Sequence, residues 1–320
     1  MQEKRFGFSI DQKRLEEVIQ VVCESRKNSK GIFSRDALNF LPQWNLPEEL
    51  EYNPRQTSPK MPFEASLYLW TCSFFERLSQ SREIIKNARR VWDSDKNWIF
   101  YPEKAFEKDL FCIEDVLREE FRFNLQGLNE EAPAQRYFYN SGLLLKKYGG
   151  DPRNIVNGLS VDESRKGLME FKGIGSGIAN LYIIYLMERR ISSVIDPENI
   201  LLKVDVHKGR IPLNTNAVIP LNGEVHQSDL AVSLEGEYGK AIKSRGQDPI
   251  TADSSLWIIG SEVCSTQDYS KCRTYCPLVD KYCISNVGLD RESGRYIVSK
   301  SGKRVETRKN IGQEDFDFEV

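Results

Sequence analysis

Hydrophobic positions recur at helical spacing along most of the chain, and this pattern predicts a mostly all-α fold. Ile10–Val22 places its apolar residues on one helical face, whereas 63–78 is apolar on most faces, which is typical of a buried helix. Further helices are predicted at 83–92, 112–121, 134–148, 161–171 and 177–187. The intervening segment 28–62 is rich in Pro, Asn and Ser and predicts irregular structure.

Beyond residue 212 the pattern predicts turns until a helix-like stretch at Ser254–Glu262. Segments 296–300 and 303–308 flank Ser301 and Gly302, which predicts a C-terminal β-hairpin with basic strands. We therefore expect four regions. They are an N-terminal helix with irregular cover (1–62), a helical domain (63–187), a second helical domain (188–288) and a C-terminal tail (289–320).

A helix, a glycine turn and a second helix are predicted around residue 173. Ser160 and Glu163 form a capping box for the first helix, and Ser176 is the predicted N-cap of the second. Glycines let a partner approach the backbone, and a helix N-terminus favours anions. The same residues also suit a turn used for packing alone. The candidate anion-binding residues are Lys172, Gly173, Ile174, Gly175, Ser176 and Gly177.

The segment 204–210 (VDVHKGR) contains an acid, a histidine and two cations. Taken alone it fits a solvated loop, in which an aspartate most often caps a helix. By itself, the carboxylate of Asp205 therefore indicates no particular function.

Cysteine is the most informative residue type, because four of the seven fall within 20 residues. These four are Cys264, Cys272, Cys276 and Cys283, at the spacing C-x7-C-x3-C-x6-C. In a reducing compartment such crowding predicts metal ligation rather than disulfides. The long gaps favour a [4Fe-4S] cluster, with zinc as the alternative. The separate Cys23, Cys72 and Cys112 are predicted to be small buried hydrophobic residues.

Charge and hydropathy exclude several classes of protein. With 45 Lys+Arg against 47 Asp+Glu, the net charge of −2 gives no overall basic signature for nucleic acid. No apolar run approaches the roughly 20 residues of a membrane helix, so no membrane partner is expected. The first residues lack an apolar core and a cleavage site of a signal peptide. We therefore expect a cytoplasmic protein.

Taken in order, these motifs resemble the helix-hairpin-helix DNA glycosylase superfamily, in its endonuclease III and adenine-glycosylase branch. The family hairpin G-[VI]-G-x-x-x-A matches 173–179, and D-x-H-x-x-R matches Asp205, His207 and Arg210. The family cluster loop C-x6-C-x2-C-x5-C matches the four cysteines with each gap one residue longer. The similarity covers roughly 130–285 and leaves 1–60 and the tail unexplained.

The resemblance implies two helical domains with DNA crossing between them, phosphate bound at the hairpin and a target base flipped out of the duplex. On this resemblance Asp205 is the candidate catalytic acid, which would stabilise an oxocarbenium-like transition state or orient water. His207 would support the loop, and Lys208 and Arg210 would either contact phosphate or form structural ion pairs. The cluster would be structural and electrostatic, and Gln80 is a candidate for the side chain that fills the gap left by the base. The expected partner is double-stranded DNA, bound by a nucleoid-associated monomer.

Gly177 departs from the family pattern, because bifunctional members carry a nucleophilic lysine at this position. We therefore expect a monofunctional glycosylase that leaves an abasic site. Lys172 and Lys203 keep open a bifunctional glycosylase/lyase with a displaced lysine. A non-catalytic DNA-binding iron–sulfur protein is a further alternative.

The connections on both sides of Asp205 are longer than in usual members. Together with Gly177, they suggest the hypothesis of a pocket for a bulky, hypermodified base such as those of phage DNA. That substrate would suit phage defence, whereas a small oxidised base would suit DNA repair. Simple surface elaboration explains the longer connections equally well.

Overall fold

The computed structural model describes residues 7–34, 46–50, 61–75, 81–123, 132–266, 268–279, 281–283, 286–290 and 292–299. The helices are α1 (Gln12–Lys27), α2 (Met61–Phe75), α3 (Ser81–Trp92), α4 (Pro102–Phe106), α5 (Leu110–Asp115), α6 (Pro133–Tyr148), α7 (Val161–Met169), α8 (Ser176–Glu188), α9 (Arg210–Asn214), α10 (Gln227–Ser244), α11 (Pro249–Ile258) and α12 (Tyr269–Tyr275). The strands are β1 (Phe8–Ile10), β2 (Val218–Pro220), β3 (Glu224–His226), β4 (Asn286–Asp290) and β5 (Arg295–Ser299). The predicted mostly helical fold is confirmed.

Single turns of other helical types complete the secondary structure. The π-helical turns Val116–Glu120 and Ile259–Val263 extend α5 and α11. The 3-10 turns are Gly31–Phe33, Glu48–Leu50, Asn97–Phe100, Pro152–Ile155, Pro197–Asn199 and Cys264–Thr266. The second π-helical turn and the 3-10 turn after it deliver Cys264, the first residue of the cysteine loop.

The chain divides into two compact units. The first unit comprises Met1–Arg35 and Leu201–Val320, and the second unit is Asp36–Ile200. The predicted boundaries after residues 62 and 187 therefore move to 35 and 200. The reason is that α1 packs against α10 and α11, which lie near the other end of the chain.

Aromatic side chains fill the core of the second unit around α2. Every residue from 65 to 75 is buried, as the apolar pattern of this helix predicted. Trp70 packs edge-on against Phe171, with ring centroids 4.7 Å apart, and Phe75 packs against Phe121 at 4.9 Å. Because Phe171 comes directly before Lys172, this packing anchors the base of the predicted glycine turn.

Helix ends near that turn follow the predicted capping chemistry. The Ser160 hydroxyl accepts from the Glu163 amide, and the Glu163 carboxylate accepts from the Ser160 amide, so the capping box is confirmed. Gly149 ends α6 with φ of 65°, a left-handed conformation that glycine adopts without steric cost.

The core of the first unit forms between α1, α10 and α11. Leu15, Val18, Ile19 and Val22 are fully buried at the spacing of one helical face. Strand β1 pairs antiparallel with β2, and the second sheet has the order β3-β5-β4. The first unit therefore joins the N-terminal helix to the C-terminal strands.

Helix α10 corrects the prediction of turns beyond residue 212. Its buried residues Leu230, Leu234 and Tyr238 recur every four positions, while Gly236 and Gly239 lie on the exposed side. The glycines and serines lower local helix propensity, but burial of the apolar face overrides this weak preference. Likewise, α11 begins before the predicted start at Ser254.

The C-terminal hairpin forms between segments other than those predicted. Strand β5 covers most of predicted strand 296–300, but it pairs with β4 on one edge and with β3 on the other. Residues 303–308 lie outside the described residues. The pairing of β5 depends on Glu224–His226, which are remote in sequence.

Three further predictions concern single residues or membrane insertion. Cys23 and Cys72 are buried as predicted, but the prediction is wrong for Cys112, which is exposed near the start of α5. Gln80 lies outside the described residues. Within the described part of the chain, no helix has the length and apolar character needed to cross a membrane.

The N-terminal segment packs against the second half of the cysteine loop. The Arg14 guanidinium donates to the carbonyls of Thr215, Lys281 and Tyr282 and lies 4.6 Å from the centre of the Tyr282 ring. Gly31, with φ of 59°, lies so close to the Tyr275 carbonyl that a Cβ would be 2.4 Å from its oxygen. Helix α1 and the turn Gly31–Phe33 are thus a structural part of the first unit.

This packing predicts that Gly31→Ala destabilises the protein more than Gly246→Ala. Both glycines have nearly the same left-handed φ, 59° and 57°, but nothing lies within 4 Å of a Cβ on Gly246. Both variants should lose about 1–2 kcal/mol from backbone strain. Gly31→Ala should lose a further ~1–3 kcal/mol from overpacking. Urea unfolding measures the difference, and equal losses would contradict the close packing of Gly31.

Candidate functional site

The glycine turn joins α7 to α8 within the second unit. Gly173 has φ of 85°, a left-handed value that glycine adopts easily, and Ile174 is buried. Helix α8 starts at Ser176 with Gly175 as its N-cap, one residue before the predicted N-cap. Because no side chain among the described residues caps this end, the first-turn amides of α8 are left for an external acceptor.

A buried asparagine clamps the turn from α6. Asn140 donates through Nδ2 to the Lys172 carbonyl and accepts through Oδ1 from the Lys172 amide, both at 2.9 Å. The side chain thus satisfies both backbone groups of the residue that starts the turn. Asn140 is 1% exposed, so its position is fixed by the core of the second unit.

Two cationic side chains lie at the turn. The Lys172 ammonium lies 4.4 Å from the centre of the Tyr139 ring. The Arg136 guanidinium is close to Gly173, where a Cβ would be 3.6 Å from Nη1. The structure therefore brings the predicted turn residues together with an arginine that the sequence did not single out.

Asp205 begins a tight turn that leads into α9 in the first unit. Its Oδ1 accepts from the His207 amide at 3.0 Å and from the Lys208 amide at 2.9 Å. Among the described residues, none donates a hydrogen bond to Oδ2, and the side chain is partly exposed. One carboxylate oxygen is thus anchored while the other is left for a ligand.

Lys208 forms a structural ion pair, one of the two roles expected for it from the sequence. It is 5% exposed, and its ammonium donates at 2.5 Å to Asp253, which is also 5% exposed. The ammonium also donates to the Lys203 carbonyl at 3.1 Å. Because it is buried and ion-paired, Lys208 is not placed to contact phosphate, which corrects that expectation.

Large side chains hold the Asp205 turn in place. The Tyr238 hydroxyl donates to the Lys208 carbonyl and the Tyr296 hydroxyl to the Val206 carbonyl, both at 3.0 Å. Burial raises the pKa of both Tyr238 and Tyr296 above the ordinary value, so both remain neutral donors. The turn therefore has fixed hydrogen bonds from two different elements, α10 and β5.

His207 supports the turn through packing, as expected. Its ring meets Trp257 edge-on, with centroids 5.6 Å apart. A Cβ on Gly260 would lie 2.3 Å from the His207 carbonyl oxygen, so the π-helical turn that extends α11 contacts the Asp205 turn directly through its backbone. A side chain at 260 would displace the turn that carries Asp205.

The four cysteines of the loop interact with one another. The Cys283 thiol donates to the Cys276 sulfur, which lowers the pKa of Cys276 and raises that of Cys283. Burial raises the pKa of Cys264, with Cys276 and Cys272 adding to the shift. Burial likewise raises the pKa of Cys272, to about 11.

Helix α9 connects the Asp205 turn to the cysteine loop. Burial raises the pKa of the Cys264 thiol, while the charge of Arg210 and the side chain of Asn214 both act to lower it. Arg210 is partly exposed. The structure thus brings Arg210 near the first predicted metal ligand.

The donor set fits a thiolate-bound centre in its chemistry, because four thiols lie in one loop and the other three all raise the pKa of Cys283, Cys276 most strongly. Across the part of the chain that the structure describes, no three His, Cys, Asp or Glu side chains are placed to hold one metal ion. A zinc ion needs ligands that converge on one point, whereas a four-iron cluster uses thiolates at separate corners.

Sequence reasoning missed Asn140 and Asp253, although each carried a signal. Both are polar residues at buried positions of otherwise apolar helix faces. A buried polar side chain needs a partner, and here the partners are the backbone of Lys172 and the ammonium of Lys208. Neither partner could be identified from helical periodicity.

The clamp predicts that Asn140→Ala destabilises the second unit by about 1–3 kcal/mol, because two buried backbone groups lose their partner. Asn154→Ala is the matched control, since Asn154 makes one exposed hydrogen bond, to the Tyr148 carbonyl. The control should change stability by less than ~0.5 kcal/mol. Urea unfolding followed by tryptophan fluorescence measures both. Equal effects would show that Asn140 does not hold the turn.

Comparison with known proteins gives one structural similarity to report. No protein-family model and no curated protein sequence match this chain. A solved structure of a trapped endonuclease III–DNA covalent intermediate, an estranged-adenine complex, matches 81% of this chain and 91% of its own. The TM-score is 0.48 and the sequence identity 14%. A similarity at this level assigns no activity to this chain.

Proposed function

We propose that this chain is a DNA glycosylase in which Asp205 promotes cleavage of the bond between a base and its sugar. The observation that carries the proposal is the anchoring of Asp205 by two backbone amides on one oxygen. Such a carboxylate is oriented before any ligand binds. Its position within a D-x-H-x-x-R segment, between a hairpin and a four-cysteine loop, agrees with the family resemblance.

The chemistry of base excision suits a fixed carboxylate. As the glycosidic bond breaks, positive charge develops on the sugar, and a preorganised anion stabilises it. Oδ1 is held by the His207 and Lys208 amides, so Oδ2 would face the sugar or orient the attacking water. The Asp205 turn needs no rearrangement for this role, because Tyr238 and Tyr296 already fix its carbonyls.

The hairpin would bind a phosphate of the DNA backbone. Its support is the uncapped N-terminus of α8, whose amides and dipole favour an anion, together with Lys172 and Arg136 at the turn. Arg210 remains a candidate for a second phosphate contact, whereas buried Lys208 does not. The proposed partner is double-stranded DNA.

The proposed product is an abasic site without strand cleavage. Gly177 provides no amine at the position where bifunctional relatives have one. Lys208 is buried in an ion pair, and the Lys172 ammonium lies over Tyr139. Lys203 is exposed and is the nearest lysine in sequence to Asp205 that is not buried.

The proposed substrate class is a modified base larger than an ordinary pyrimidine, because Gly177 removes a side chain from the start of α8. A panel of duplexes, each with one modified base, tests this class. It should contain natural, small oxidised and hypermodified pyrimidines. Excision confined to small oxidised bases would indicate repair rather than the action on foreign DNA that a bulky substrate suggests.

Asp205→Asn should abolish base excision while leaving DNA binding intact. Loss of the anion should lower the single-turnover rate by at least ~100-fold. The dissociation constant for the same duplex should change little, since the substitution keeps the shape of the side chain. Asp162→Asn, an exposed aspartate of the second unit, is the control.

Alkali and borohydride treatments distinguish the outcomes of this experiment. Breaks that require alkali, with no trapped protein–DNA adduct, are expected for the wild type. A trapped adduct that disappears in Lys203→Ala would identify a lyase. Binding without breaks on any duplex would overturn the proposed activity in favour of a non-catalytic DNA-binding protein.

We further propose that Cys264, Cys272, Cys276 and Cys283 hold a [4Fe-4S] cluster. When bound, the cluster would cross-link the loop and add a local charge near the DNA-binding surface. Its support is the spacing of the four thiols and the rise in the pKa of Cys283 that the other three thiols cause, Cys276 most strongly. Asn214 and Arg210 would lie next to the sulfur of Cys264.

Anaerobically purified wild-type protein should be brown and contain iron and acid-labile sulfide. Cys272→Ser should lower both contents, because it removes one of four ligands. Cys112→Ser is the control, since Cys112 is exposed, belongs to the second unit and should have no effect. Zinc in place of iron in the wild type would contradict the cluster.

A further inference from the structure

We propose that the buried Lys208–Asp253 pair positions the Asp205 carboxylate, an inference that rests on the proposed function. Lys208 and Asp253 would be positioning residues, since neither is placed to touch the DNA. Asp205 would act on the sugar, and the pair would hold the turn that presents it. The family motif leaves position 208 unspecified, so this arrangement belongs to the present chain.

Every polar group of Lys208 takes part in holding the turn. Its amide donates to Asp205 Oδ1, and its carbonyl accepts from the Tyr238 hydroxyl. Its ammonium donates to the Lys203 carbonyl and to Asp253. Lys208 therefore links the chain before Asp205, the carboxylate itself and helices α10 and α11.

The ion pair is a poor source of stability at this depth. Removing both charges from water is expensive, and apolar residues of similar volume often replace a buried pair without loss of stability. An apolar pair would fill the same space, but it could not hold the Lys203 carbonyl or fix the direction of residue 208. The distinct contribution of the charges is therefore orientation.

The buried carboxyl of Asp253 also depends on the positive charge of Lys208 beside it. Burial raises the pKa of Asp253, Lys208 opposes that shift, and the charge of Asp205 adds to it. Asp205 and Asp253 are thus close enough to repel each other, with the lysine ammonium bound to one of them. Loss of Lys208 alone would leave the two acids without the compensating cation, so a single variant disturbs folding and positioning together.

The double variant Lys208→Met/Asp253→Leu separates these effects. It removes both charges and keeps the packing volume, so the thermal midpoint should stay close to that of the wild type. Amide hydrogen exchange then reports on the turn directly, without need of a substrate. In the double variant, protection of the backbone amides of residues 207 and 208, the two donors to Asp205, should fall about tenfold or more relative to the wild type.

Activity provides the second readout. The single-turnover excision rate of the double variant should fall on the order of 100-fold, since small misplacement of a catalytic group costs about this much. The dissociation constant for DNA should be unchanged. Wild-type protection of the two amides in the folded double variant would overturn the inference, whatever its activity.

Asp253→Asn is a second variant, which keeps the test available if the double variant fails to fold. It removes one charge with almost no change in shape, and it should lower the same two protections while the amides of α10 stay protected. Unchanged protection of the His207 and Lys208 amides in Asp253→Asn would equally overturn the inference. A wild-type protein without excision activity would contradict the proposed function, yet the exchange measurement would still decide whether the pair holds the turn.

Discussion

One carboxylate oxygen of Asp205 accepts hydrogen bonds from two backbone amides, and much of the first unit packs around the tight turn that allows this. The amides converge only if residues 206–209 turn tightly, and that turn packs against the π-helical extension of α11 at Gly260, which has no side chain. Two tyrosine hydroxyls from α10 and β5 hold its carbonyls. Backbone hydrogen bonds, packing and buried charge thus act on one short segment, which makes the carboxylate rigid before it meets a ligand.

The two units use the same physical device at their candidate sites. Asn140 in the second unit and Asp253 in the first are buried polar side chains on apolar helix faces, and each fixes a loop by hydrogen bonding. A buried polar group without a partner is costly. If the loop moved away, the buried side chain would lose its hydrogen-bond partner. This cost in free energy holds each connection between helices in place.

The cysteine loop depends on the beginning of the chain as well as on its own spacing. Arg14 of α1 donates to the carbonyls of Lys281 and Tyr282, directly before Cys283, and Gly31 lies against Tyr275, directly before Cys276. The 3-10 turn that starts at Cys264 follows α11, which also carries Asp253. Packing of α1 on α10 and α11 thus supports the cysteine loop and the Asp205 turn together.

The sequence by itself determined what depends on neighbouring residues. The buried character of α2, the capping box at Ser160, the glycine at the end of α6 and the spacing of the four cysteines are all local patterns. Local hydrogen bonds and helical periodicity decide these features, so they were predictable. The candidate acid was also recognisable, because its motif lies within six residues.

Only the tertiary structure decided what depends on partners far along the chain. It assigned α1 to the first unit, paired β5 with β3 and β4, and placed Lys208 in a buried pair rather than at a phosphate. Helix α10 formed in spite of its weak local pattern, because its apolar face is buried against α1. Burial and strand pairing contribute free energy between segments that are distant in sequence, and the local pattern of residues does not predict which of these segments will come into contact.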